Sequence, residues 1–274
     1  MEQYLWLIPV GFLIGAYGTF IGTGGGFLLV PLLLLLYPHE NTDTITSISL
    51  AVVFFTAVSG SLAYARARRI DYYSGIIFSI AAVPGAVAGA LTTSIIPRRF
   101  FDVVIGVFML AAAGVLLWGP RRATVGAARD KILHFSRHIV QSDGTQHVYS
   151  YSRALGMLLS LFVGYVSSLL GIGGGFIHVP ALVHLLNFPV HIATATSQFI
   201  LAIMAFTGTA THIYIGAFQH GVRRTICLSV GVVLGAQFGA RMSGRVQGDW
   251  IIRSLAVALA FIALRLMLWS FSRY

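Results

Sequence analysis

Acidic side chains are scarce: the 274-residue chain has 8 Asp and Glu, and none lies deep in an apolar stretch. That disfavours a carboxylate proton relay and a dedicated cation site inside a membrane. Cysteine occurs once, at Cys227, so no internal disulfide can form, and its plain role is that of a small buried hydrophobe. Charged residues make up only 9% against 57% hydrophobic, too few to cover a water-soluble domain of this size. Enzyme signatures are missing as well. The glycine runs "GTGGGF" and "GIGGGF" lack the further glycine of a dinucleotide loop and the Lys-Ser/Thr of a P-loop. There is no His/Cys spacing for a metal and no G-x-S-x-G elbow, so neither catalysis nor a cofactor is expected.

What is present is a series of apolar blocks, at 4–37, 44–65, 72–96, 100–118, 154–187, 193–218, 222–243 and 250–270. The expected fold is an all-α polytopic membrane protein, with eight nominal and up to ten transmembrane helices. The first block is far too long for a signal-peptide core and is read as mature structure. The net charge of +10 comes from seventeen arginines and Lys131, which gather between the blocks. This is the positive-inside pattern, and it leaves no basic face for nucleic acid. The stretch 119–153, with Arg121, Arg122, Arg129, Lys131, Arg137 and Arg153, reads as a basic cytoplasmic linker between a first membrane repeat, 1–118, and a second, 154–274.

The two halves share residues as well as hydropathy. "GTGGGFLLVP" at 22–31 returns as "GIGGGFIHVP" at 171–180, a shift of 149 with seven of ten positions identical. One residue of insertion later, Thr46-Ser47 matches Thr196-Ser197, Tyr64 matches Tyr214, and Gly85, Gly89 and Ala90 match Gly235, Gly239 and Ala240. We read an internal duplication of a four-helix unit. A helix over 4–37 would run about 50 Å against roughly 30 Å of hydrocarbon, so it must break. Gly22, Gly24, Gly25 and Gly26 mark the break in one half, and Gly171, Gly173, Gly174 and Gly175 mark it in the other. Exposed irregular backbone is costly in lipid, so each break must be buried in protein or face a watery cavity. Four crossings per half would make the copies parallel and five would invert them. The Lys and Arg count favours four, with a re-entrant or bent first element.

Glycine-broken half-helices present backbone N–H groups and the positive end of a helix dipole, which attract an anion. The plainer alternative is that the glycines only let helices pack closely. Thr46, Ser47, Thr196, Ser197 and Gln198, at helix starts in both halves, can donate to oxyanion oxygens, although such groups often bond their own helix instead. His178, His184 and His212 are the candidates for titration near neutral pH, and His212 joins the expected site. Arg241, Arg253 and Arg265 would complement an anion or snorkel to headgroups.

The paired "GxGGGFxxVP" segments, each followed by a Thr-Ser helix start, resemble the TauE/SafE sulfite exporter family over both halves. The resemblance implies a transporter of small anions, often sulfite, thiosulfate, sulfoacetate or another organosulfonate, in a bacterial or archaeal inner membrane. Its partners would be that anion, the lipid bilayer and a coupling proton or sodium ion, with a homodimer as the candidate assembly. A non-transporting intramembrane scaffold is the alternative. His178 stands where the first copy has Leu29, so the halves are not interchangeable.

Overall fold

The computed structural model describes residues 4–37, 39–97, 100–101, 103–107, 110, 114, 134–142, 144–218, 221–243, 257 and 260–261. Most of the block at 250–270, much of 100–118, the stretch 119–133, Arg253 and Arg265 lie outside the described residues.

Helices α1 (Leu7–Ile21) and α2 (Gly26–Leu36) divide the first block at its glycines. They are followed by α3 (Thr42–Arg66) and α4 (Tyr72–Thr93). Strands β1 (His134–Val140) and β2 (Gln146–Ser152) come next, and then α5 (Arg153–Leu170) and α6 (Gly175–His184), again divided at glycines. The described order closes with α7 (Val190–Tyr214) and α8 (Val222–Ser243). Helices α3, α4, α5, α7 and α8 are long and apolar enough to cross a membrane, whereas α1, α2 and α6 are too short. Pro31 and Pro180 each remove a backbone donor inside the two short helices that follow the breaks.

The expected all-α fold needs one correction, because β1 and β2 form an antiparallel hairpin pairing His134 with Ser152 and Val140 with Gln146. Alternate residues Tyr149 and Tyr151 face inward and are buried, so the described hairpin is docked on the helices. Phe188 lies 4.5 Å from the Tyr149 ring and 5.1 Å from that of Tyr151, and Phe78 joins the cluster.

Two ends of the molecule follow from these contacts. At one, Arg224 in the first turn of α8 pairs with Glu40 and stacks 3.8 Å over the Tyr37 ring, with Tyr4 also nearby. The chain before α1 and the chain after α2 therefore lie together, and the pair α1–α2 is a re-entrant hairpin. At the other end, Tyr151 just before α5 packs on Phe188 just after α6, so α5–α6 is a second re-entrant hairpin. Since α3 runs from Thr42, beside Glu40, to Arg66, beside Asp71, over about 37 Å, the two hairpins enter from opposite ends. Each matches the re-entrant or bent first element expected from the charge count, while the number of crossings per half depends also on the blocks at 100–118 and 250–270, most of which lie outside the described residues. Neither α1–α2 nor α5–α6 is a crossing, because each returns to the end where it began.

Close helix seams hold the frame. Gly11 and Gly15 of α1 face Leu228 and Val232, while Gly231, Gly235 and Gly239 of α8 face the backbone of Ile8, Phe12 and Ala16. Gly85 and Gly89 of α4 face Leu161 and Tyr165 of α5 in the same manner. Small residues at a four-residue interval let backbones approach, which is how apolar helices associate without a hydrophobic drive.

Candidate functional site at the paired glycine tips

Helices α1 and α5 end where Gly22 and Gly171 adopt left-handed backbone, φ +86° and +67°, which any side chain would strain. Each turn also leaves no room for a Cβ. One on Gly22 would lie 2.7 Å from Thr194 Cα, and one on Gly171 would lie 2.8 Å from Thr46 Cα. The tips then meet each other. Gly26 abuts the Ile172 carbonyl, and a Cβ on Gly175 would lie 2.6 Å from Thr23 Cα and 2.7 Å from Gly22 O. Gly24 and Gly173 face the same two side chains, Val53 and Leu201, which stand at the midpoints of the 25-residue helices α3 and α7. Gly25 and Gly174 are the N-caps of α2 and α6 and supply no side-chain cap.

The tip amides are partly engaged. Thr23 N and Gly24 N both donate to Gly18 O, and Gly174 N donates to Ser167 Oγ at 2.6 Å. Ser49 Oγ donates to Gly171 O at 2.6 Å and fixes the second tip to α3. Among the hydroxyls expected at the site, Thr46 donates to Thr42 O and Asp43 O, and Ser47 donates to Asp43 O. Thr196 Oγ1 accepts the Asp71 N–H at 3.0 Å. Ser197 Oγ and Gln198 Oε1 are fully buried with no partner among the described residues, while Gln198 Nε2 donates to Thr19 Oγ1. Both ring nitrogens of His212 are likewise buried and unpartnered, and His178 Nε2 lies 3.2 Å from Ser160 Oγ.

Packing also revises the register of the two halves. Val53, Ala57, Leu201 and Ala205 form one small core between α3 and α7, and Gly60 and Gly208 sit in like surroundings. This relates the two helices by 148 residues, so Thr46 corresponds to Thr194, Ser49 to Ser197 and Tyr64 to His212. The match of Thr46-Ser47 to Thr196-Ser197, and of Tyr64 to Tyr214, is therefore two residues out of step. The shift of 150 holds for Gly85 and Gly89 against Gly235 and Gly239, because the connection from α7 to α8 is two residues longer than that from α3 to α4. Sequence reading passed over Thr19 and Ser168, although each stands three residues before the first glycine of its motif.

A buried cluster that the sequence did not single out closes one end. Asp71 accepts from Arg137 at 2.9 Å, from the Tyr149 hydroxyl at 2.7 Å, and from both the hydroxyl and the amide of Ser74. Burial alone would raise its carboxyl, but Arg137, Ser74 and Tyr149 more than offset this and hold it below the usual carboxylate range. Tyr149 is pushed the other way by burial and by the charge of Asp71. Among the described residues no three His, Cys, Asp or Glu side chains group to hold a metal ion.

Opposed re-entrant helices meeting at mid-span define an integral membrane protein of the transporter class. The family model for the sulfite exporter TauE/SafE matches residues 7–266, and the chain belongs to that family of membrane transporters. It is similar to the "Probable membrane transporter protein YunE" of Bacillus subtilis, 30% identical over 97% of each chain. It is also similar to a probable membrane transporter protein of Methanocaldococcus jannaschii, 22% identical over 97% of each chain. No solved structure matches it.

Proposed function

We propose that the protein moves a small anion, a sulfur oxyanion or organosulfonate such as sulfite, thiosulfate or sulfoacetate, across a bacterial or archaeal inner membrane. The observation that carries this reading is the meeting of two glycine tips against Val53 and Leu201, at the midpoints of α3 and α7. Both short helices, α2 and α6, begin there, and their N-terminal dipole ends favour negative charge. In this reading the glycine tips bind the anion together with Thr46, Ser47, Thr196, Ser197, Gln198 and His212. The two halves are inverted copies of one unit, a proton or sodium ion drives transport, and a homodimer is the candidate assembly. Arg66, Arg68, Arg69, Arg137, Arg153 and Arg241 collect at the Asp71 end, which supports a cytoplasmic position for that end and its hairpin.

Purified protein in liposomes, offered labelled sulfite, thiosulfate, sulfoacetate and taurine, tests the assignment. Saturable flux of at least one is expected, and none from folded protein would contradict it. The glycine seams along α1–α8 and α4–α5 favour a second reading, a scaffold in which small residues serve packing alone. Gly25→Ala and Gly174→Ala separate the two: lost transport in a folded protein supports the site, and joint loss of folding supports the scaffold.

A further inference from the structure

The two glycine tips share a sequence but not a backbone. "GTGGGF" and "GIGGGF" differ only at Thr23 and Ile172, yet Gly25 is left-handed at φ +80° while Gly174 stands at φ −52°. What surrounds them differs too. The second tip is pinned by two serines, because Ser49 Oγ donates to Gly171 O and Ser167 Oγ accepts the Gly174 N–H, each at 2.6 Å. The first tip has neither pin. Gly18 stands where the shift of 149 places Ser167, and Ser197, which corresponds to Ser49, has a fully buried hydroxyl with no partner among the described residues. The seats themselves match, since a Cβ on Gly22 would lie 2.7 Å from Thr194 Cα and one on Gly171 would lie 2.8 Å from Thr46 Cα. Three residues beyond each seat come Ser197 and Ser49, and only the Ser49 bond is made. The first tip holds to its own helix instead. Thr23 N and Gly24 N donate to Gly18 O at 2.7 and 3.1 Å, a pair of bonds without counterpart in the second tip among the described residues. A Cβ on Gly18 would lie 2.3 Å from Gly25 N and 2.4 Å from Gly25 Cα, so this turn exists only because position 18 has no side chain.

We propose that the α1–α2 tip is the moving half of the site and the α5–α6 tip its fixed half: residues 22–25 switch between the turn observed there and the turn held at 171–174, and in the switched turn Ser197 Oγ donates to Gly22 O. The proposal rests on the transport reading above. Glycine passes between φ +80° and −52° without Cβ strain, so Gly25 permits the change. The switch gives up the two bonds to Gly18 O and gains one for a buried hydroxyl that otherwise has none, and an unmet buried group is the costlier loss. Both turns are thereby kept within reach of one another. The switch also alters the site. In the observed turn Ser197 is free to donate to the anion, and in the switched turn Gly22 O takes that donor, so the anion is held in one and released in the other. Ser49, already bonded to Gly171 O, gives the second tip no such choice.

Hydrogen exchange at Thr23 and Gly24 of the anion-free full-length protein, set beside flux in liposomes, tests the proposal, because these two amides are released in the switched turn. Ser197→Ala removes the bond of that turn and is expected to slow their exchange about fivefold, the value of one hydrogen bond. Gly18→Ser installs the pin of the second tip and should quicken their exchange by about as much. The three atoms nearest the new Cβ all belong to Gly24 and Gly25, so the tip alone must give. Both variants should lose flux about fivefold or more, since each holds the tip in one turn. Ser49→Ala, as a control, should lower the thermal midpoint and leave exchange at Thr23 and Gly24 unchanged. Exchange unmoved by Ser197→Ala would overturn the proposal, as would full flux from folded Gly18→Ser. Should Gly18→Ser not fold, Ser197→Ala decides alone. If the unmodified protein moves none of the labelled compounds, the transport reading falls, and exchange in Ser197→Ala still decides whether the tip switches.

Discussion

Asp71 closes the connection from α3 to α4 with its side chain out of solvent, and its charge is balanced by Arg137 from the hairpin. Removing one partner of a buried pair strands the other, so Asp71→Asn is expected to lower stability by about 3 kcal/mol in thermal unfolding. Because the folded carboxyl sits below its ordinary value, the clasp contributes fully above about pH 4, the unfolded value. That contribution disappears as pH falls through the lower folded value. Acid unfolding of Asp71→Asn should therefore lack this component, and a wild-type acid profile in the variant would contradict it. Nothing in the sequence marked this cluster, since Asp71 stands at a block edge and its partners Arg137 and Tyr149 are more than sixty residues away. Gly22 was legible, by contrast, because four glycines cannot sit cheaply in one helix. Gly22→Ala and Gly171→Ala are each expected to cost about 1 kcal/mol of stability for the left-handed backbone, plus the overlap with Thr194 or Thr46, and so to lower the thermal midpoint. A midpoint unchanged by either would contradict the tip geometry.

Among the elements, the two divided helices were readable from length and glycine, but their direction was not. Whether α2 continues onward or returns is decided by what Tyr37 and Glu40 meet, and Arg224 lies far along the chain. The hairpin had a signal, the Asp143-Gly144 turn pair between alternating segments, which the arginine content of 119–153 obscured. The register of α7 was lost to a local repeat. "TATS" at 194–197 offers Thr twice, and identity favoured Thr196-Ser197 where packing favours Thr194. The hairpin is held by rings as well as by Asp71. Phe188→Ala removes the ring beside Tyr149 and Tyr151, and should cost about 3 kcal/mol and expose 134–152 to protease. Unchanged protease resistance would show that the hairpin docks by other means.

For the molecule as a whole, the opposed hairpins make the two ends face opposite compartments. In a Cys227→Ala background, Val148→Cys on the hairpin and Tyr214→Cys at the end of α7 are both at exposed positions, 74% and 91%. A membrane-impermeant thiol reagent should label Val148→Cys only in inside-out vesicles and Tyr214→Cys only in right-side-out ones, and labelling of both from one side would contradict the topology. Transport in the proposed reading turns on anion binding where the glycine tips meet. Hydrogen exchange of the reconstituted protein, with and without a saturating transported anion, reads this out. Exchange is expected to slow in 22–26 and 171–175 and not in 134–152. Protection confined to other segments, at an anion concentration that saturates flux, would contradict it.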